Sequence, residues 1–521
     1  MRPTFLGFEM GRKGLTTAQK ALDITGHNIS NMSTPGYTRQ RVDQVSVSAF
    51  TYKSRFAGSR IDFAGQGVTI TGVAQTRDAF LDRRFREQFS ENYYYQQKTD
   101  ILGDIAQVVD QYAASDGGLI KAVNTISDAL QGLTGDKATD RSAINILRTA
   151  FQSMVQTLHD YDTKLNRVAE QQKYDLGVAA EEVNGMLAKL AGLNKQISDQ
   201  LGLNLGDTEV YGPNELLDAR NLLLDELSRY TDLETSTNEY GEFIVKMAGH
   251  VAVQGDVYQT IRMESMTGSP LVRLTWQDTG SDLNPLSGSL KAAVEMINGR
   301  GPDMQSRFES PEKGIPYYKD RLNAFAQTLA NVMNGALPSS LDETGAPIQA
   351  TPPDTPYKIL LGAAIQDANG RTVVDPNAPV TAENISISDQ WTANVTYALP
   401  SLTSMQNSTY FEKMNTLLKT DQSTSFFVRS QSFEGTFLEY ITDIHNVCSG
   451  EESFTKGRLE ATGAVADQLL NDREAISGVN KDEETSDMMM YQRSFQAVAR
   501  LMTTMDDMLD QIINRMGRVG L

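Results

Sequence analysis

The residues most able to bind a metal or shuttle a proton are four histidines, His27, His159, His250 and His445, and they lie far apart along the chain. None is followed by glutamate, so the HExxH pair that sets two imidazoles on one helix face is absent. No GxSxG elbow exposes a serine nucleophile, and the absence of any Gly-Lys dipeptide excludes a Walker A phosphate loop. The densest acidic group, Asp482, Glu483, Glu484 and Asp487, offers oxygen ligands for a cation but stands where a helix starts. Carboxylates there stabilise the helix dipole by about 0.3–1 kcal/mol each, and that is the role expected of them. Met488, Met489 and Met490 suit helix-interface packing better than soft-metal binding. Tyr93, Tyr94 and Tyr95 lack the interleaved basic residues of a base-stacking surface. These residues predict no catalytic, cofactor or metal site and a protein that is not an enzyme.

In place of a reactive cluster the chain carries a repeat. Phe8, Leu15, Leu22 and Ile29 recur every seven residues, with Gly11, Ala18, Thr25 and Met32 three places behind. Tyr491, Val498, Met505, Ile512 and Val519 keep the same period at the other end, shadowed by Phe495, Met502, Leu509 and Met516. A seven-residue repeat writes one narrow apolar stripe along a helix and calls for a partner helix alongside. Matching stripes at both ends predict that the termini pair, parallel or antiparallel, into a long coiled-coil-like hairpin from which the rest is hung.

At 521 residues the chain exceeds what one core supports, so about three or four domains are expected. Lys plus Arg number 47 against 66 Asp plus Glu, a net charge of −19, which argues against nucleic-acid or anionic-membrane partners. A single cysteine, Cys448, excludes an internal disulfide. No apolar run of about 18 residues offers a membrane span. Glu9, Arg12, Lys13 and Lys20 interrupt any signal-peptide core, so export, if it occurs, is expected by another route.

Ser33, Thr34, Pro35 and Gly36 end the first helix sharply. Period-two patterning over 41–73 (Val45, Val47, Ile61, Phe63, Val68, Ile70) predicts short strands. Helix resumes near Asp78, two further helices are expected over 91–133, and a helical tract of roughly 60 residues, ~90 Å at 1.5 Å per residue, begins near Arg141. Its glycines, Gly177, Gly185 and Gly192, each cost up to ~1 kcal/mol relative to alanine and argue against one unbroken helix. Strands return near Phe243, Val251 and Leu271, and a helix near Tyr317. Residues 336–400 hold eight of the 16 prolines, which suits a turn-rich β domain, and helical patterns run from about Phe433 to the end with a break at 477–480. The expected fold is an elongated, multidomain α+β protein. Its expected parts are a terminal helical domain (1–40 with 478–521), a mixed helix and strand domain (41–230 with 288–335 and 421–477) and a β-rich outer part (231–287 with 336–420).

NISNMSTPGY at 28–37 and GQGVTITGVAQTRDAFLDRRFR at 65–86 resemble the N-terminal signature of bacterial flagellar axial proteins. LAGLNKQI at 190–197 and GPNELLDARNLLLDELSRYTDLE at 212–234 resemble the core of the hook-associated protein 1 family, and 477–516 is similar to its C-terminus. Asn28, Asn31, Pro35, Gly36 and Tyr37, with Pro213, Asn214, Leu217, Asp218, Arg220, Asp225 and Leu227, are the motif positions of these segments. Likeness covers about 1–335 and 425–521; the stretch 298–314 departs from it and 336–420 matches nothing recognised. The resemblance implies a structural subunit of the flagellum at the hook–filament junction, exported without a cleaved signal and located outside the cell. It further implies a ring of about eleven self-associated subunits, contacts with hook protein and hook-associated protein 3, and an export chaperone on the C-terminal helix. The alternatives are a hook or distal-rod protein, which lacks the 212–234 segment, an extracellular enzyme using a carboxylate pair such as Asp367 and Asp375, and a coiled-coil chaperone.

Overall fold

The computed structural model describes residues 6–46, 67–113, 117–203, 210–266, 270–339, 357–366, 371–400, 403–511 and 513. Helix α1 (Leu6–Asn31) ends where Gly36 turns the chain at φ +77°, a left-handed conformation that a side chain resists. A Cβ on Gly36 would also sit 3.2 Å from Leu222 Cβ. The returning chain forms β1 (Gln40–Ser46), antiparallel to β2 (Val68–Gln75), and β3 (Val210–Tyr211) adds in parallel beside β2. The expected strand around Ile61 and Phe63 lies outside the described residues.

Helix α2 (Ala79–Ala113) corrects the expected pair of helices over 91–133: no break occurs near 91, and the first of the two is the second half of α2. Phe85 and Phe89, one turn apart and 4.9 Å between ring centres, carry the apolar face up to the supposed junction, and Ile101, Leu102 and Ile105 are buried beyond it. Helix α3 (Gly118–Gln131) follows, then α4 (Arg141–Leu203), 63 residues without a break. Its glycines do not interrupt it, because a Cβ at Gly177, Gly185 or Gly192 would meet nothing within 4 Å. They cost backbone entropy only, while Phe151, Leu158, Leu165, Leu176, Val183 and Leu190 are buried along the stripe.

After α5 (Asn214–Leu227), strands β4 (Leu233–Thr237), β5 (Phe243–Met247), β6 (His250–Gln254) and β7 (Val257–Tyr258) form an antiparallel meander in that order. Strands β8 (Ile261–Ser265) and β9 (Val272–Trp276) make a hairpin, followed by α6 (Ser289–Asn298) and α7 (Ile315–Ala336). The proline-rich tract contains β10 (Leu361–Gln366), β11 (Thr372–Asp375) and β12 (Ile385–Ile387), ordered β11-β10-β12, and a short helix, α8 (Asp389–Ala393). Residues 404–419, expected in the β-rich part, are instead helix α9 (Ser404–Lys419). Pro400 is the last proline of the tract, and beyond it Phe411, Met414 and Leu418 recur at helical spacing and are buried. The hairpin β13 (Ser425–Val428) and β14 (Gln431–Glu434) precedes α10 (Phe437–Ser477) and α11 (Lys481–Asp510).

Two compact units result. One comprises Met1–Glu91, Glu182–Thr260 and Thr462–Leu521, the other Asn92–Glu181 and Ile261–Ala461. Their boundaries differ from the three expected parts, and β4–β7 and β10–β12 belong to different units. The second unit is built on a helical core containing Ile101, Tyr112, Val123, Phe151, Leu158, Phe325 and Trp391, closed by Phe426 stacked on Tyr440 with ring centres 4.1 Å apart.

Candidate assembly interface

Within the first unit the two terminal helices pack side by side. Gly7 faces Met505, Gly11 faces Met502 and Gly14 faces Val498, so α1 and α11 run antiparallel, the direction that the heptads left open. A Cβ on Gly11 would stand 2.5 Å from Met502 Sδ and one on Gly7 2.7 Å from Met505 Cε, so these helices touch through glycine. The buried row of α1 is Gly11, Ala18, Ala21, Thr25 and Asn28. The larger residues flank it: Leu15, Leu22 and Ile29 are half-buried, and Phe8 is 38 % exposed. On α11, Tyr491, Phe495, Val498, Met502, Met505 and Leu509 are half-buried, while Ile512 and Met516 lie outside the described residues. Small residues at the line of contact bring the backbones close, and bulky ones are displaced to the sides.

Beside this seam lies a buried polar network. The turn at Pro35-Gly36 sends residues 37–40 back along α1, where the Asn28 amide can both donate and accept. Asn28 Oδ1 accepts from Tyr37 Oη at 2.7 Å and from the Gln40 amide at 3.0 Å. Its Nδ2 donates to the Gln40 carbonyl at 2.9 Å and to Glu484 Oε2 at 3.1 Å. Glu484 is the one buried described residue of α11, 2 % exposed, and its second oxygen accepts from Arg39 Nε at 2.6 Å. Arg39 also donates to Glu483 at 3.1 Å and to Asp487 at 3.3 Å, and its amide donates to the Ser477 carbonyl at 2.9 Å. The acidic group at 482–487 is therefore more than a helix-dipole charge: three of its four carboxylates clamp one arginine from the N-terminal turn. Helix capping falls to Asn480, whose Oδ1 accepts from the Asp482 amide at 3.0 Å.

The α5 motif joins the same network. Asp218 Oδ2 accepts from the Thr38 amide at 3.2 Å and Oδ1 from Gln75 Nε2 at 2.8 Å, and Gln75 also donates to the Asn214 carbonyl at 2.9 Å. Asn214 Nδ2 reaches the Val73 carbonyl at 3.3 Å, which ties α5 to β2. Pro213 leads into α5 and its carbonyl accepts from the Leu217 amide at 3.0 Å. Burial pushes the Asp218 carboxyl up, and burial with the nearby Asp218, Glu215 and Glu484 raises the Tyr37 phenol, so it remains a proton donor. Asp225 is held by Arg86 at 2.7 Å and Arg473 at 2.6 Å, and Arg77 grips Asp82 at 2.6 Å while donating to Thr38 Oγ1 at 3.2 Å. Arg220 stacks on Phe243, 3.8 Å from the ring centre, and burial, reinforced by Arg86 and Arg77, lowers it to about 10. Leu227 is buried, and Asn31 Nδ2 donates to the His27 carbonyl at 3.0 Å.

The motif positions of 28–37 and 213–227 thus meet in one place, around Glu484, expected only as a helix-dipole charge, and residues that sequence reasoning left without a role: Arg39, Gln75, Arg77, Asp82, Arg86 and Arg473. Their charges next to apolar turns were the available signal. The arrangement contains no nucleophile paired with a base; every strong group is spent on another strand or helix. Among the described residues, no three His, Cys, Asp or Glu side chains are placed to hold a metal, and no helix is long and apolar enough to cross a membrane. His159 contacts the Ile385 carbonyl at 2.9 Å, and His445 lies 3.7 Å from Asp110.

Comparison with known proteins accords with this geometry. Residues 8–38 match the flagella basal body rod protein family, and 474–516 match the flagellar basal body rod FlgEFG protein C-terminal family. Residues 105–350 match the flagellar hook-associated protein FlgK helical domain. In all three segments the chain is similar to bacterial flagellar axial proteins. Within that class it is similar to flagellar hook-associated protein 1 of Bacillus subtilis strain 168, 27 % identical over 546 residues and covering 100 % of both chains. The protein of that name from Escherichia coli K12 is 23 % identical, covering 96 % of this chain and 98 % of the relative. The solved flagellar hook junction protein FlgK from Burkholderia pseudomallei shares the fold, with a TM-score of 0.55 at 12 % identity over 76 % of this chain and 100 % of that one.

Proposed function

We propose that this chain is a structural subunit at the junction between flagellar hook and filament, where it lets the filament grow on the hook. One observation carries the reading: among the described residues of α11 only Glu484 is buried, while Met489, Met490, Leu501 and Met508 are exposed. A helix that finds one partner and leaves further apolar side chains in water is suited to packing against further copies of itself. The partners in this reading are other copies in a ring of about eleven, hook protein below, hook-associated protein 3 above, and a chaperone that covers α11 before export. The 212–234 segment, fastened into the network through Asn214, Asp218 and Asp225, favours this role over that of a hook or distal-rod protein.

Replacing Leu22 by Asp tests it. A charge on the half-buried flank of α1 costs several times the thermal energy when neighbours close over it. The expected outcome is loss of incorporation and shed filament subunits beside bare hooks, with the second unit still folded by circular dichroism and limited proteolysis. Normal filaments on cells carrying only this variant contradict the proposal.

A further inference from the structure

In the second unit Lys319, Asn166 and Asp162 close a three-sided contact. Asp162 and Asn166 stand one turn apart on α4, and Asn166 Nδ2 donates to Asp162 Oδ2 at 2.7 Å. From α7, Lys319 places Nζ 2.8 Å from Asn166 Oδ1 and 3.2 Å from Asp162 Oδ1. Asp162 is buried, and its Oδ1 has no hydrogen-bond partner among the described residues. The Lys319 side chain is 29 % exposed, and Leu165, Tyr318 and Leu322, its neighbours on the two helices, belong to the core. One carboxyl group thus borders both an amine and the amide nitrogen of a side chain whose carbonyl that amine already reaches. Lys98, a buried lysine of the same unit, contacts a carboxylate, Glu312, with which no ammonia can be exchanged.

We propose that Lys319 and Asn166 join in an intramolecular isopeptide bond, with Asp162 carrying the protons. Nζ first gives a proton to Asp162 Oδ1, 3.2 Å away. The freed lone pair attacks Asn166 Cγ, and the carbonyl electrons move onto Oδ1. Asp162 passes its proton to Nδ2 and takes one from Nζ; the Cγ–Nδ2 bond breaks, ammonia leaves and the carbonyl re-forms. An ammonium, a carboxylate and a carboxamide become an amide, ammonia and a carboxylic acid, which balances without oxidant or co-reactant. Because Asp162 and Asn166 come from one helix and Lys319 from another, the trio exists only in the folded chain, so the bond follows folding. It would staple positions 153 residues apart in a chain whose single cysteine permits no internal disulfide.

Intact-mass spectrometry of the purified, folded full chain tests this. The expected mass is below that of the sequence by one ammonia, about 17 Da, with a branched tryptic peptide joining positions 166 and 319. Lys319→Arg and Asp162→Ala are expected to retain full mass, and Asn166→Asp to lose water in place of ammonia. The wild-type mass decides the matter even if a variant fails to fold: an unshifted mass, with the two tryptic peptides recovered separately, overturns the proposal.

Discussion

Glu484→Ala removes the one carboxylate that α11 buries against the N-terminal turn. Two bonds are lost, from Arg39 Nε at 2.6 Å and from Asn28 Nδ2 at 3.1 Å. Breaking a buried ion pair costs about 3–5 kcal/mol when the remaining charge is stranded. Arg39 is not fully stranded: its side chain is 26 % exposed and keeps Glu483 and Asp487, while Asn28 keeps the Gln40 carbonyl. The discounted cost is about 2–3 kcal/mol, roughly a 30- to 150-fold shift towards the undocked start of α11. Glu484→Gln, which keeps an acceptor, should cost about half as much. Amide hydrogen exchange at residues 37–40 and 481–487 reads the opening directly, and a cycle with Arg39→Ala should give a coupling above about 1 kcal/mol. If Glu484→Ala leaves protection at both segments within about 0.5 kcal/mol of wild type, the clamp does not hold the ends together.

Glycines should divide by position. Gly11→Ile, driven into Met502, is expected to destabilise the terminal pair by about 1–3 kcal/mol, whereas Gly185→Ala, facing open space on α4, should stabilise by about 0.5–1 kcal/mol in thermal unfolding. Acid should loosen the 298–314 loop: hydrogen bonds from Arg429 and the Gln305 amide, with Arg300 nearby, hold the Glu309 carboxyl down to about 2 from its ordinary 4.5. A lowered folded value means that this stability is complete above 4.5 and lost as pH falls towards about 2. Glu309→Gln should flatten unfolding midpoints across that window, and an unchanged acid slope refutes the assignment.

The seven-residue stripes made the pairing of the ends legible, since each is one narrow stripe that calls for a single partner helix and the two keep the same period. They did not reveal its direction, because a heptad reads alike both ways; glycine at the contact line decides it here through Gly7, Gly11 and Gly14. Helix α9 was hidden by the proline density just before it, although Phe411, Met414 and Leu418 carried the period. The unbroken course of α4 was obscured by glycines whose cost is borne by the buried stripe on the opposite side. In the candidate interface the motif positions were visible and their meeting was not. Asn28 and Glu484 stand 456 residues apart, and no local pattern in a single sequence reports a hydrogen bond across that separation.

In the proposed reading the half-buried seam of α1 and α11 is completed by neighbouring copies, because a single pair of helices recovers little of the entropy lost in ordering them. Hydrogen exchange on the isolated chain, compared with the same chain in assembled flagella, tests this most directly. Amides of 11–29 and 488–509 should exchange quickly in the isolated chain and slowly in the assembly, while α5, held by Asp218 and Asp225, stays protected in both. Strong protection of both terminal helices in the isolated chain would contradict it.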